Sequence, residues 1–319
     1  MVMRRGQEPF HAKVNQFAVI RHFNTITDPN GNPSYIVETM FGEFEKRTAP
    51  ILREIAKTGC IPMHEPRSLI AQYMALQYLR TPEWRDLADI EAEIHAKSLV
   101  LTHIDETVKQ MYREMENREA TEKEVAGARY ARAHIDEFTI EQSNNNYFLD
   151  LIKSATNDIM PHLLQNMHWD LIQADDRVFI TSDHPIVFPR PPNMPIEILN
   201  APVVFFPIDP YRTLMLRQGP VQHSRFLAPK RELIIMINQL IADNFYEWVA
   251  YHPDQPDALD GLDIPEDPPL MGYSNVMVHG DKRGINAAVA EIRHMIEWAK
   301  RSAGVDSVAW TGSGNTPTE

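Results

Sequence analysis

Apolar residues recur at steps of three and four through most of the first half of the chain, the spacing that keeps them on one face of a helix. Val37, Phe41, Phe44, Ile51, Leu52 and Ile55 predict a helix over 34–57, and Gly59 suits the left-handed residue just past its end. Leu69, Ile70, Tyr73, Met74 and Leu76 predict a second helix over 66–79. Thr81 is placed to cap a third, and Pro82 fits its first position. That third helix has the most regular seam: Leu87, Ile90, Ile94, Leu101, Ile104, Val108, Met111 and Met115, interrupted only at Lys97. At 1.5 Å per residue the seam makes a rod of about 40 Å. Antiparallel packing inside the molecule is expected for it, with a homodimeric coiled coil as the alternative. A fourth helix is predicted over 121–141. A fifth runs from just after Ser143 to Met167, with Pro161 kinking it rather than ending it.

The pattern then changes. Residues 168–173, 177–182, 201–208 and 212–217 are short runs rich in β-branched and aromatic side chains, as strands are. Residues 14–23 hold a short apolar run that predicts a strand of about five residues, ended by the turn-forming TDPNGNP over 27–33. Six prolines at 189, 191, 192, 195, 202 and 207 mark a rigid irregular loop. A helix is expected over 230–251, a proline-rich acidic surface loop over 252–270, and a last helix over 286–301. These elements give an α+β class: a mainly helical body with long antiparallel helices and a small embedded antiparallel sheet. One compact domain over 1–301 is expected, with a helical part at 34–167, a strand-containing part at 168–250 and a disordered tail at 302–319. Neither βαβ repetition nor GxGxxG is present, which weighs against a doubly wound nucleotide-binding sheet.

Composition narrows the function classes. The 319 residues carry 31 Lys and Arg against 44 Asp and Glu, a formal charge of −13. Coating phosphate backbones is therefore a weak expectation, although one local basic patch would be compatible with it. The single Cys60 leaves no intrachain disulfide framework and no multi-cysteine zinc motif. The absence of an 18-residue apolar run and of a signal-peptide pattern makes a cytoplasmic, non-membrane protein the expectation.

Candidate chemistry gathers at two places. Asp183 and His184 follow the predicted strand end and precede Pro185, so a turn there can bring a carboxylate and an imidazole to one ligand, with Ser182 adding an oxygen. The structural alternative is an Asx-type cap in which Asp183 accepts backbone N–H groups. Arg80, with Gln77 one turn before it, ends the second helix. It can hold a carboxylate or phosphate, or simply cover the helix's last carbonyls. Glu38 and Glu45 share a face of the first long helix about 10 Å apart, so one of them, rather than both, would join Asp183 and His184 on a divalent metal. Other patterns are weaker. The sequence HIDE occurs at 103–106 and 134–137, and Glu291 with His294 has di-iron spacing but occurs once. Asn144 to Asn146 can line a polar pocket or form a helix-start loop, and Met74, Met111 and Met115 read as adaptable core filling.

Three segments in order carry a family resemblance: EFEKRTAPILREI at 43–55, AQYMALQYLRTPEWRD at 71–86 and WDLIQADDRVFITSDHPIVFP at 169–189. With FPIDPYRTLML at 206–216 and the Asn238 region, they resemble the bacterial and archaeal domain-of-unknown-function family number 4238, over about residues 14–250. Lys13 and Gln16 stand where relatives have His and Pro, so no role for an opening histidine carries over. The resemblance implies a fold and brings no activity. Two readings follow. One is a hydrolase, metal-dependent, acting on a phosphoester or other small polar ester, with Asp183, His184 and a glutamate activating water and Arg80 receiving the anion. The other is a noncatalytic ligand-sensing or partner-binding protein.

Overall fold

The computed structural model describes residues 1–17, 23–134, 143–190, 197–220 and 224–265. The expected helix at 286–301 and tail at 302–319 lie outside these residues. The chain forms two compact units, the first from 1–20, 24–85 and 144–274, the second from 21–23, 86–143 and 275–319. Among the described residues helix outweighs strand, and the class is α+β with several small open sheets.

In the first unit, helices α2 (Ile36–Thr58) and α3 (His64–Leu79) match the predicted pair, after a single helical turn α1 (Val14–Phe17). Gly59 stands at φ 71° and its N–H closes α2 onto the Ile55 carbonyl. Helix α3 is buried on almost every side, through Arg67, Ile70, Ala71, Met74, Ala75, Leu76, Tyr78 and Leu79, and forms the centre of the helical layer. Helix α4 (Pro82–Glu116) starts at the expected proline and continues into the second unit. There Asn117, at φ 51°, ends it, and α5 (Glu122–Ala133) starts on a capping box between Thr121 and Glu124. Arg129 of α5 reaches Asp105 of α4 at 2.5 Å, so α5 folds back along α4. Met74 is core filling as expected, but Met111 and Met115 at the end of α4 are exposed, on a side of the helix that α5 does not cover.

The fifth predicted helix is observed as α6 (Asn144–Ser154) and α7 (Met160–Gln165), joined by a π-helical turn over Ala155–Ile159. Pro161 has no N–H to offer the carbonyl four residues back and its ring crowds that carbonyl, so the widened turn before it absorbs the conflict. Asn144 and Asn145 hold a hairpin of β2 (Ile26–Thr27) and β3 (Pro33–Ser34) rather than a pocket. Their amides donate to the Thr25 and Thr27 carbonyls, each at 2.8 Å.

Strands β4 (Met167–Gln173), β6 (Val203–Asp209) and β7 (Arg212–Gln218) appear where expected. With β8 (Phe226–Leu227) they form a four-stranded sheet in the order β6-β7-β4-β8, antiparallel except for β4 and β8. Pairing of Trp169 with Leu216, Leu171 with Leu214, and Phe206 with Leu214 puts these residues on one face. Tyr73 of α3 lies against Phe206 there, with ring centroids 6.2 Å apart. Ile172, Phe205 and Met215 point the other way and pack with Ile237 and Ile241 of α8 (Arg231–Asn244). Burial on both faces explains why these strands read as near-continuous apolar runs instead of alternating.

Four expectations are corrected. Val14–Phe17, where the predicted first strand would begin, is a helical turn, and residues 18–22 of that run lie outside the described residues. Of 177–182 only β5 (Thr181–Ser182) is strand, because Asn238 of α8 takes the backbone instead, accepting from Ile180 N–H and donating to the Val178 carbonyl. The helix predicted over 230–251 stops at Asn244, and β9 (Trp248–Ala250) then pairs with β5 and with an unforeseen β1 (Val2–Arg4). Finally, the stretch after 252 forms turns whose Ala258, Leu259, Leu262 and Ile264 pack against the α8 core instead of staying at the surface.

A Cβ on Gly59 would fall inside the Phe226 ring, on a backbone already at positive φ. Gly59→Ala is therefore expected to cost about 2–4 kcal/mol in urea unfolding. Phe226→Ala should recover the steric part in the double variant, and additive losses would refute the contact.

Candidate functional site

The Ser182–His184 turn is built from the end of β5 and faces the α8–β9 junction. The Asp183 carboxylate accepts three successive backbone N–H groups, from Tyr246 at 2.9 Å, from Glu247, and from Trp248 at 3.2 Å, while its own N–H donates to the Trp248 carbonyl. Those donors follow the end of α8 at Asn244, and the last of them belongs to the first residue of β9. Burial pushes the Asp183 carboxyl up from 3.8 to about 6, against the pull of these N–H groups and of His184. Ser182 Oγ accepts the His184 N–H at 3.1 Å. His184 itself is buried, with Nδ1 3.3 Å from the Asn244 carbonyl and its ring stacked on Tyr78 at 5.9 Å.

Arg80 is the C-cap residue of α3. Its guanidinium meets Glu45 of α2 at 2.6 Å and lies over the Phe41 ring at 5.2 Å. Tyr73 belongs to the same cluster: burial raises its phenol pKa, Arg80 lowers it and Glu45 raises it, with a hydrogen bond from the Gln77 side. The structure thus brings Gln77, Arg80 and Glu45 together in one place and Ser182, Asp183 and His184 in another. Glu38 is in neither, since it accepts from Asn24 Nδ2 at 2.5 Å. Among the described residues no group of three or more His, Cys, Asp or Glu side chains is placed to hold a metal ion. His134 of the second HIDE string stacks on Tyr130 at 4.0 Å, while the rest of that string and the Glu291–His294 pair lie outside the described residues.

Two clusters were not foreseen. Asp170, with 0% exposure, sits on β4 and accepts from His168 Nε2 at 2.9 Å, from Arg217 Nη2 at 2.5 Å and from the Arg225 N–H at 3.0 Å. Burial alone would raise its pKa, but Arg217, the Arg225 N–H and His168 together hold it below the ordinary carboxylate value. The available signal was the i, i+2 spacing of His168 and Asp170, which puts both on one face of a strand.

The second cluster is Arg67, in the first turns of α3 and only 4% exposed. Its guanidinium lies over the Trp169 ring at 4.7 Å, and Nη1 is 3.7 Å from the Met63 thioether. Nε and Nη2, the two parallel donors that form the carboxylate-binding fork, are buried and have no acceptor among the described residues. Burial lowers the pKa of this group, as it must for a charge with no counter-ion. The nearest acid in sequence, Glu65, pairs instead with Arg47 at 3.3 Å.

The sequence profile of the family described as Protein of unknown function (DUF4238) matches residues 1–255, and the chain belongs to that family. No curated protein and no solved structure matches the chain. No helix among the described residues is long and apolar enough to cross a membrane.

Asp183→Ala leaves the N–H groups of half-buried Tyr246 and Trp248 and of exposed Glu247 without this acceptor, and a loss of about 2–4 kcal/mol is expected in urea unfolding. An unchanged midpoint would show that water replaces the carboxylate. The pH sign also follows. A carboxyl whose folded pKa lies above its unfolded value binds an extra proton in the fold between those values, so its contribution to stability falls as pH rises through about 6. The drop in Tm from pH 5 to pH 7.5 should accordingly be larger for the parent chain than for Asp183→Asn.

Proposed function

We propose that this chain is a noncatalytic binding protein for a small anionic ligand, and that Arg67 is the residue that receives it. The buried fork of Arg67 carries the reading. A guanidinium out of water with no carboxylate costs several kcal/mol, and an anion from outside the chain is the natural way to recover it. The residues that suggested hydrolysis support this choice, because Asp183 is engaged with the 246–248 backbone and Arg80 with Glu45. A cytoplasmic setting fits the one exposed cysteine, Cys60. Self-association would use the exposed Met111 and Met115 end of α4.

The metal-dependent hydrolase is the second reading, and its support is the adjacency of Ser182, Asp183 and His184 at the end of β5. Native mass spectrometry tests both on the purified chain. The binding reading expects a small-molecule adduct that disappears in Arg67→Met, and the hydrolase expects a divalent ion that disappears in folded Asp183→Ala. The Arg67→Met chain should also melt at the parent temperature or higher in the absence of ligand, since an apolar side chain of similar length removes an unmatched buried charge. A Tm lowered by several degrees would instead make Arg67 a structural post and overturn the binding reading.

A further inference from the structure

Resting on that reading, we infer that the ligand of Arg67 is a monocarboxylate with an apolar body, its two oxygens on Nε and Nη2 and its hydrocarbon part over Met63 and Phe226. The fork presents two parallel N–H donors, which match the two coplanar oxygens of a carboxylate. A phosphate dianion fits less well, for three reasons. Pro66 has no N–H, so the first turn of α3 offers one donor fewer than an anion-binding helix start. Its first residue, His64, is turned to φ 58°. The chain's charge of −13 opposes a second negative charge.

The surroundings of the fork are apolar. Trp169 covers one face of the guanidinium, and Met63, 53% exposed, lies against Nη1. Phe226, 54% exposed, is paired in parallel with Leu171, two residues along the same sheet face from Trp169, and its ring rests over Gly59, four residues before Met63. Exposed Met63 against the guanidinium, with exposed Phe226 on the strand next to β4, suits an apolar tail leaving an anionic head. Nε and Nη2 are buried, so a ligand reaches them as neighbouring side chains turn aside.

Isothermal titration of the full chain at pH 7.5 and low ionic strength, with acetate, hexanoate and inorganic phosphate as probes, tests the class. Hexanoate should bind at least about tenfold more tightly than acetate, the direction set by its four additional CH₂ groups, and more tightly than phosphate. Arg67→Lys, which keeps the charge and loses the fork, should weaken hexanoate by about tenfold or more. Met63→Ala with Phe226→Ala should bring hexanoate down to the level of acetate. Equal affinity for acetate and hexanoate, or a preference for phosphate, overturns the carboxylate class and leaves anion binding at Arg67 standing. No binding of any of the three probes at 10 mM overturns both.

Discussion

The four-stranded sheet is covered on both faces, and most of the first unit follows from that constraint. Trp169, Leu171, Leu214 and Leu216 meet the helical layer on one side, and Ile172, Phe205 and Met215 meet α8 on the other. A sheet so placed has little access to water, so each polar group in or beside it needs a partner from the protein. Asp170 obtains one imidazole, one guanidinium and one backbone N–H. The backbone of 178–180, which runs close to the sheet without joining it as a strand, is satisfied by the side-chain amide of Asn238.

Asp183 belongs to the same system. It stands where β5 ends and the chain between α8 and β9 changes from one hydrogen-bonding scheme to another. Three consecutive N–H groups there would be orphaned, and a single carboxylate takes them all. The raised carboxyl pKa shows that burial outweighs even three donors, so this join is a site where the fold is held together at an electrostatic cost.

Helices such as α2 were legible because they bury one stripe, and a stripe leaves a 3.6-residue period in the sequence. The signals at Gly59, Thr81 and Pro82 worked for the same reason: they are local, and the groups they satisfy lie within a turn or two. What the chain conceals is pairing over long separations. Nothing in RVFITS tells that Asn238, 58 residues on from Ile180, will replace a strand partner, and nothing in YEWVA tells that β1 and β5 will claim it. Asp183 was visible as a residue of interest, and the structural alternative read for it, a carboxylate on backbone N–H groups, is the geometry observed. Its donors sit 63 to 65 residues away, beyond any local motif.

Arg80 and Arg67 lie at opposite ends of α3 and show how far residue type alone can mislead. Arg80 stood out because it follows a periodic helix and precedes Thr-Pro, yet it is partly exposed and meets Glu45. Arg67 is inconspicuous in MHEPRSL, a stretch that reads as an ordinary helix start with an acid two residues away. The distinction between them is whether a protein acceptor faces the guanidinium, and that is a property of the packed fold. Shortage of carboxylates does not account for it, because acids outnumber Lys and Arg by 44 to 31. A chain with that excess could have placed one opposite the Arg67 fork at the cost of a single substitution. It places Trp169 and Met63 around the cation, and among the described residues no protein acceptor faces Nε or Nη2.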